Sequence, residues 1–233
     1  MVSVLLAACC GETYIAAQMA SILPQMAATD ELLVSDDSPA GHTATRGIVL
    51  GFGDARVRWL QGPGQGVIKN VEFLLGQARG DILVLSDQDD VWLPGKLACV
   101  RARLARHVPA LLVHDAKIVD KTLRETGQTL FAQRKAGPGF WRNWRRNGFA
   151  GCCMAFTREL LPLVLPFPAR IPMHDQWIGL RAARRRAEVY FVREPFVLYR
   201  RHGGNLSGQG STLSQKLMWR LILLRAYRKK VTK

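Results

Sequence analysis

Short apolar runs alternate along the first half of the chain with stretches whose apolar residues recur at helical spacing. Val2 to Ala8 is the first apolar run; behind it Ile15, Met19, Ile22 and Leu23 fall at helical spacing, with Thr13 placed to cap. Leu32 to Ser35, Val57 to Leu60 and Ile82 to Leu85 read as three further buried strands, and Val67, Val71, Leu74, Leu75 and Ala78 mark a helix before the last of them. Strands apolar on both faces and separated by amphipathic helices predict an α/β fold, a mostly parallel central sheet flanked by helices. Ligands of such sheets sit beyond the carboxyl ends of the strands.

The second half is less regular. Cys152 to Phe156 has β character, a helix is predicted from about residue 174 to 186, and strands are predicted near Val189 to Val192 and Phe196 to Tyr199. Leu213, Leu217, Leu221 and Leu224 then line one face of a basic terminal helix, over residues 209–233, with Lys216, Arg220, Arg225, Arg228, Lys229 and Lys230 around them. Packing on the core explains such leucines, but the cations together with Trp219 and Tyr227 also suit a helix lying on anionic lipid, and the lipid reading is preferred.

Length and composition fit one sizeable core: 233 residues, 48% hydrophobic, with no repeat or low-complexity tract. The net charge of +15 is unevenly placed, the first 60 residues being acidic on balance and the last 50 strongly basic. Such a field attracts polyanions without choosing between nucleic acid, membrane and phosphorylated small molecules. The five cysteines include the adjacent pairs Cys9-Cys10 and Cys152-Cys153, and no metal-site spacing. They read as reduced thiols of a cytoplasmic protein. Leu6-Ala7-Ala8-Cys9 imitates a lipoprotein cleavage box but lacks a basic region before it, so a buried first strand is expected there.

Two strands run directly into carboxylates, one into Asp36-Asp37 and the other into Asp87-Gln88-Asp89-Asp90. In extended backbone Asp87 and Asp89 project to one side and can share a hard divalent cation, Mn²⁺ or Mg²⁺, which takes its other ligands from water and substrate phosphates. Asp90, ahead of Val91-Trp92-Leu93-Pro94, reads as a helix cap. Asp36 is the favoured contact to a nucleobase or ribose, whereas Asp37 fits that role and a self-bonded turn equally. Gly62-Pro63-Gly64-Gln65-Gly66 opens the helix bearing Lys69 and Asn70, where backbone N–H groups can approach phosphate oxygens. Asp175 opens a helix and fits either a dipole-favoured first turn or a general base. Arg200 and Arg201 offer guanidinium forks to a diphosphate, and His202 could complete a metal shell.

In order and spacing these residues resemble family 2 glycosyltransferases of the GT-A fold, and most closely the bacterial rhamnosyltransferase-like members. The landmarks are Val2-Ser3-Val4-Leu5-Leu6, Ser35-Asp36-Asp37-Ser38, Ser86-Asp87-Gln88-Asp89-Asp90-Val91-Trp92-Leu93-Pro94, Pro172-Met173-His174-Asp175-Gln176-Trp177 and Tyr199-Arg200-Arg201-His202. The resemblance implies a GT-A domain over residues 1–208, with a nucleotide-sugar-binding half (1–108) and an acceptor-side half (109–208). It implies that Asp36 contacts the base, that Asp87 and Asp89 bind the metal, and that Asp175 is the base of a single inverting displacement. With Gly66, Asn70 and Asp37, Asp87 also belongs to the expected nucleotide site. The chain departs from the family in having Cys9-Cys10-Gly11 where an aromatic-Asn-Gly turn is usual, and Pro39-Ala40-Gly41 where a second acidic residue is usual.

The expected activity is therefore sugar transfer from a nucleotide-diphosphate donor, with rhamnose as the first candidate sugar, to a saccharide or lipid-linked acceptor. The expected location is the cytoplasm, or its membrane face through the terminal helix. A sugar nucleotidylyltransferase is the nearest rival, but Cys9 to Tyr14 lacks the cation its first loop needs. A nucleic-acid-binding module is supported by charge alone and leaves the carboxylates unexplained, so no nucleic-acid partner is expected.

Overall fold

The computed structural model describes residues 1–40, 43–185, 187–203 and 212–228. In chain order its elements are β1 (Val2–Ala8), α1 (Ile15–Ile22), β2 (Glu31–Asp36), α2 (Ala44–Gly51), β3 (Val57–Gln61), α3 (Val67–Gln77), β4 (Ile82–Asp87), β5 (Val91–Trp92), α4 (Lys96–Arg103) and β6 (Ala110–Val119). There follow β7 (Glu125–Thr129), α5 (Leu130–Arg134), α6 (Phe140–Arg145), β8 (Met154–Thr157), α7 (Leu161–Val164), α8 (His174–Arg184), β9 (Glu188–Arg200) and α9 (Leu213–Arg228). The expected domain end at residue 208 lies outside the described residues, as do Lys229 and Lys230.

Among the described residues the strands form one sheet in the order β3-β2-β1-β4-β8-β6-β9-β5, with β7 on β6. The first four are parallel, as their apolar runs imply: β1 sits between β2 and β4 and is buried along most of its length. Helix α3 packs against it, and Ile15, Met19 and Ile22 of α1 and Val71, Leu74 and Leu75 of α3 are buried in the same core. Parallel pairing does not continue through the sheet. β8 runs antiparallel to both β4 and β6, and β5 antiparallel to β9, while β6 and β9 are parallel again.

Three local expectations are corrected. Helix α1 starts at Ile15 with Tyr14 before it and no side-chain cap, so Thr13 does not cap it. Asp90 does not cap a helix: α4 begins only at Lys96, behind Gly95 in a left-handed conformation, and the Asp90 carboxylate instead accepts the Arg200 N–H at 3.0 Å. The two strands expected between residues 189 and 199 are one strand, β9, whose pairing to β6 skips Arg193 and Glu194 at a register shift.

Helix α8 is held from beneath by close packing. A Cβ on Gly179 would lie 2.3 Å from the ring of Phe149, itself 1% exposed. Alanine would gain up to about 1 kcal/mol of helix propensity there, but the ring has no room to move and overpacking costs about 1–3 kcal/mol. We therefore expect Gly179→Ala to unfold at lower urea concentration with an unchanged m-value; a midpoint equal to or above the parent's would show that the helix can shift.

Candidate active site

The parallel register decides where the carboxylates go. Ala8 of β1 pairs with Asp36 of β2, and Ala7 pairs with Asp87 of β4, so both acidic strand ends flank the carboxyl end of β1. A cavity of about 410 Å³ opens there, within the range of about 300–1,000 Å³ usual for small-molecule sites. Its wall brings together Asp37, Gly66, Asn70, Asp87, Asp89, Asp175 and His202, with Cys9, Gln88, Arg134, Cys152 and His174.

Strand β4 ends at Asp87, and Gln88 and Asp89 form a turn, so Asp89 reaches the cavity from a turn and not from extended backbone. His202, beyond the end of β9, places Nε2 2.8 Å from Asp89 Oδ2. Oxygens of Asp87 and Asp90 and the sulfur of Cys152 lie within 4.8 Å of one another. Crowding shows in the proton affinity: burial, and then the Asp89 and Asp175 carboxylates, push Asp87 up to about 7. Asp90, fully buried, is raised well above the usual range by burial and by Asp89 and Asp87.

One cation sits behind this cluster. Lys96 is fully buried, donates from Nζ to the Cys152 carbonyl at 2.8 Å and stacks 3.9 Å from the Trp92 ring centroid. Burial lowers its pKa to about 8, while Cys153, Cys152, Asp90 and Asp87 oppose that shift.

Asp175 enters from the opposite half of the chain, in the first turn of α8, and is 3% exposed. Asn147 Nδ2 donates to its Oδ1 at 3.0 Å and the Gln176 N–H to the same oxygen at 2.5 Å, and Arg134 Nη1 lies 3.9 Å from its Oδ2. Gln176 Nε2 donates to the Asn143 carbonyl at 2.8 Å, which fastens the start of α8 to α6. The helix start and its carboxylate are thus fixed by the loop that follows α6.

Other expected site residues point elsewhere. Asp36 is buried and accepts from both the N–H and the hydroxyl of Ser38, and it does not line the cavity, whereas Asp37 does. The Asp37 carboxylate in turn accepts from the N–H groups of Gly64 at 2.6 Å and Gly66 at 2.7 Å, so these loop donors are occupied by the protein itself. Asn70 bonds Ser35 and latches α3 to β2 while exposing one edge to the cavity. Arg200 spends Nε on the Asp89 carbonyl and Nη1 on the Lys121 carbonyl and stacks over Tyr14; Arg201 reaches Gln133. Neither arginine lines the cavity.

The arginine that does is Arg134, missed in the sequence because a lone cation in a short amphipathic segment carries no pattern. Asn147 was missed for the same reason. Gln88 had a usable signal, standing between the two paired aspartates: it exchanges two hydrogen bonds with the Cys9 backbone, at 2.8 and 2.9 Å, and ties the β1 and β4 ends together.

The sequence model described as glycosyl transferase family 2 matches residues 3–163. The chain belongs to that family. A relative from Shigella flexneri, the dTDP-rhamnosyl transferase RfbG, is 26% identical over 96% of this chain and 81% of its own length. The UDP-Glc:alpha-D-GlcNAc-diphosphoundecaprenol beta-1,3-glucosyltransferase WfgD of Escherichia coli is 33% identical over 42% of this chain, and the match spans only 38% of that relative. Among solved structures, S. aureus TarS 1-349 in complex with UDP-GlcNAc superposes with a TM-score of 0.73 at 19% identity, over 99% of this chain and 68% of that one. The mannosyltransferase PcManGT of Pyrobaculum calidifontis, in complex with GDP-Man and Mn²⁺, gives 0.65 at 18% identity, over 100% and 65%. These superpositions establish the GT-A fold, the mixed sheet included.

The raised Asp87 has a consequence for family-2 architecture in this chain. Its folded pKa of about 7 exceeds the model-peptide value of 3.8, so between those values the folded state binds more protons than the unfolded. Stability without metal must then fall as pH rises through that window. We expect Asp87→Asn, in EDTA, to melt higher than the parent at about pH 8 and to lose that advantage near pH 4. A parent melting temperature insensitive to pH across the window would contradict the raised proton affinity of Asp87.

Proposed function

We propose that residues 1–208 form the catalytic domain of an inverting, metal-dependent glycosyltransferase, with a nucleotide-sugar half (1–108) and an acceptor half (109–208). The observation that carries this is Asp175 held across one cavity from Asp87, Asp89 and His202. Four carboxylates lining one cavity, with Asp87 pushed to about 7, form a site that gains from a cation. Oxygen and imidazole donors suit Mn²⁺ or Mg²⁺, and Asp87, Asp89 and His202 would hold it. When bound, such an ion offsets the charge that develops on a departing diphosphate. The Mn²⁺ in the PcManGT complex supports this reading.

The rest of the reaction belongs to the chain's own side chains. Asn147 and the Gln176 N–H occupy Asp175 Oδ1 and so fix the carboxylate's direction. From there Asp175 accepts the proton of an acceptor hydroxyl while that oxygen attacks the anomeric carbon. The bond from that carbon to the diphosphate oxygen breaks, its electron pair leaves with the nucleoside diphosphate, and configuration inverts. Asp37, Gly66 and Asn70 contact the nucleotide from the β2–α3 side, with Asp36 behind them as support for the turn. Arg134 supplies the cavity cation that Arg200 and Arg201 were expected to provide, and those two arginines brace the Asp89 turn and the β9 end.

The RfbG likeness supports dTDP-rhamnose as donor, and the GlcNAc-diphosphoundecaprenol in the name of WfgD supports a saccharide or lipid-linked acceptor. No described helix is long and apolar enough to cross a membrane. We place the protein in the cytoplasm, peripheral to the membrane that would carry such an acceptor.

Turnover of dTDP-rhamnose, and then of UDP-sugars, with product configuration read by NMR, tests the assignment. Inversion is expected, and Asp175→Asn should lower kcat by about 10²–10⁴-fold while the nucleotide still binds. Retention of configuration, or full turnover in the variant, would overturn the role given to Asp175.

A further inference from the structure

Helix α9 turns Leu223 into the core but leaves Leu217 and Leu221 outside it. Leu217 is 57% and Leu221 55% exposed, with Met218 beside them, while Leu223 is the residue buried against the body. Tyr227 meets Phe140 edge-on and Trp177 at a tilt, at centroid distances of 5.5 and 5.2 Å, and Arg220 donates to the Arg145 carbonyl and lies 6.0 Å over Trp144. These contacts set α9 alongside α6. On α6 the side chain of Trp141 is 66% exposed and meets Trp144 edge-on at 5.9 Å.

The surroundings are cationic throughout. Arg142, Arg145 and Arg146 on and after α6, and Lys216 and Arg225 on α9, are all exposed. The chain has no Asp or Glu from residue 126 to 158 or from 195 to 233. Exposed aliphatic and indole groups rimmed by cations match an anionic bilayer, in which Trp settles at headgroup level and Lys and Arg meet phosphate. A second copy fits poorly, since the same face doubled would set cation against cation. A nucleic acid would leave the aliphatic side chains uncovered.

We propose that α6 and α9 together form a docking face for anionic lipid bilayer, with Trp141, Leu217, Met218 and Leu221 entering the headgroup layer. The face is tied to the candidate active site, because Asn143 and Asn147, in and just after α6, hold Gln176 and Asp175. Docking α6 thereby sets the acceptor side of the cavity close to the lipid surface. That last step rests on the lipid-linked acceptor proposed above; the docking itself does not.

Co-sedimentation of the full chain with phosphatidylcholine vesicles, with and without phosphatidylglycerol, tests the proposal. Binding is expected only with phosphatidylglycerol, and raised salt should weaken it. The Arg142→Gln, Arg145→Gln, Lys216→Gln variant should lose about fivefold in partitioning per cation removed, and Trp141→Ser, Leu217→Ser, Leu221→Ser at least about tenfold. Circular dichroism and nucleotide titration on the same preparations report folding and the donor site separately, so a lost donor site would not mimic lost docking. The proposal fails if neither vesicle binds, if both bind equally, or if the apolar variant binds as the parent does. It fails also if, without vesicle binding, the parent forms a dimer that Leu217→Ser abolishes, or binds a DNA duplex regardless of the apolar substitutions.

Discussion

Mutual repulsion among carboxylates gathered at one edge of a buried sheet is the constraint around which this structure is arranged. Asp87, Asp89 and Asp90 stand within four residues, and Asp175 lines the same cavity as Asp87 and Asp89. Isolated buried charges of this kind cost several kcal/mol each, and the chain offsets the cost in several ways. Burial raises the proton affinity of Asp90 well above the usual range, Lys96 is sunk behind the cluster against Trp92, and Arg200 clasps the Asp89 backbone. What remains is a residual negative field inside the cavity, which attracts cations.

The fold supplies the geometry that makes the repulsion unavoidable. Parallel register sets the ends of β1, β2 and β4 level, so residues far apart in sequence become neighbours with no freedom to spread. The second half of the chain approaches through β8, which reverses direction between β4 and β6 and lets α8 bring its first turn to the same opening. Asn147 and Arg134 then anchor Asp175. A carboxylate held this way has its direction fixed by neighbours that are themselves bonded to backbone, and α6, which precedes that loop, also carries the exposed Trp141.

The legible parts of the sequence were those where burial is uniform. Strands β1, β2 and β4 are apolar on both faces and stood out, as did α3 and α8 with their periodic cores. Strand β6 did not, because His114, Asp115 and Lys117 interrupt its apolar run; Asp115 is nonetheless buried, accepting the N–H groups of Ala116 and Phe131. Strand β9 looked like two because Arg193, Glu194 and Pro195 break its pattern at the register shift. Asp37, Asp87, Asp89, Asp175 and His202 were brought to one cavity as their motifs suggested. Asp36, Arg200 and Arg201 were not, since which way a side chain turns from a strand end depends on partners such as Ser38 and Lys121 that spacing does not reveal.

The central claim is that the Asp87–Asp89–His202 edge binds a nucleoside diphosphate through a divalent cation. Isothermal titration of UDP, dTDP and GDP into the protein, each in Mn²⁺ and in EDTA, with Asp89→Ala alongside, tests it most directly. The account predicts that one nucleotide binds in Mn²⁺ and that binding is lost both in EDTA and in the variant. Binding that persists unchanged in EDTA and in Asp89→Ala, or no binding of any nucleotide, would contradict it.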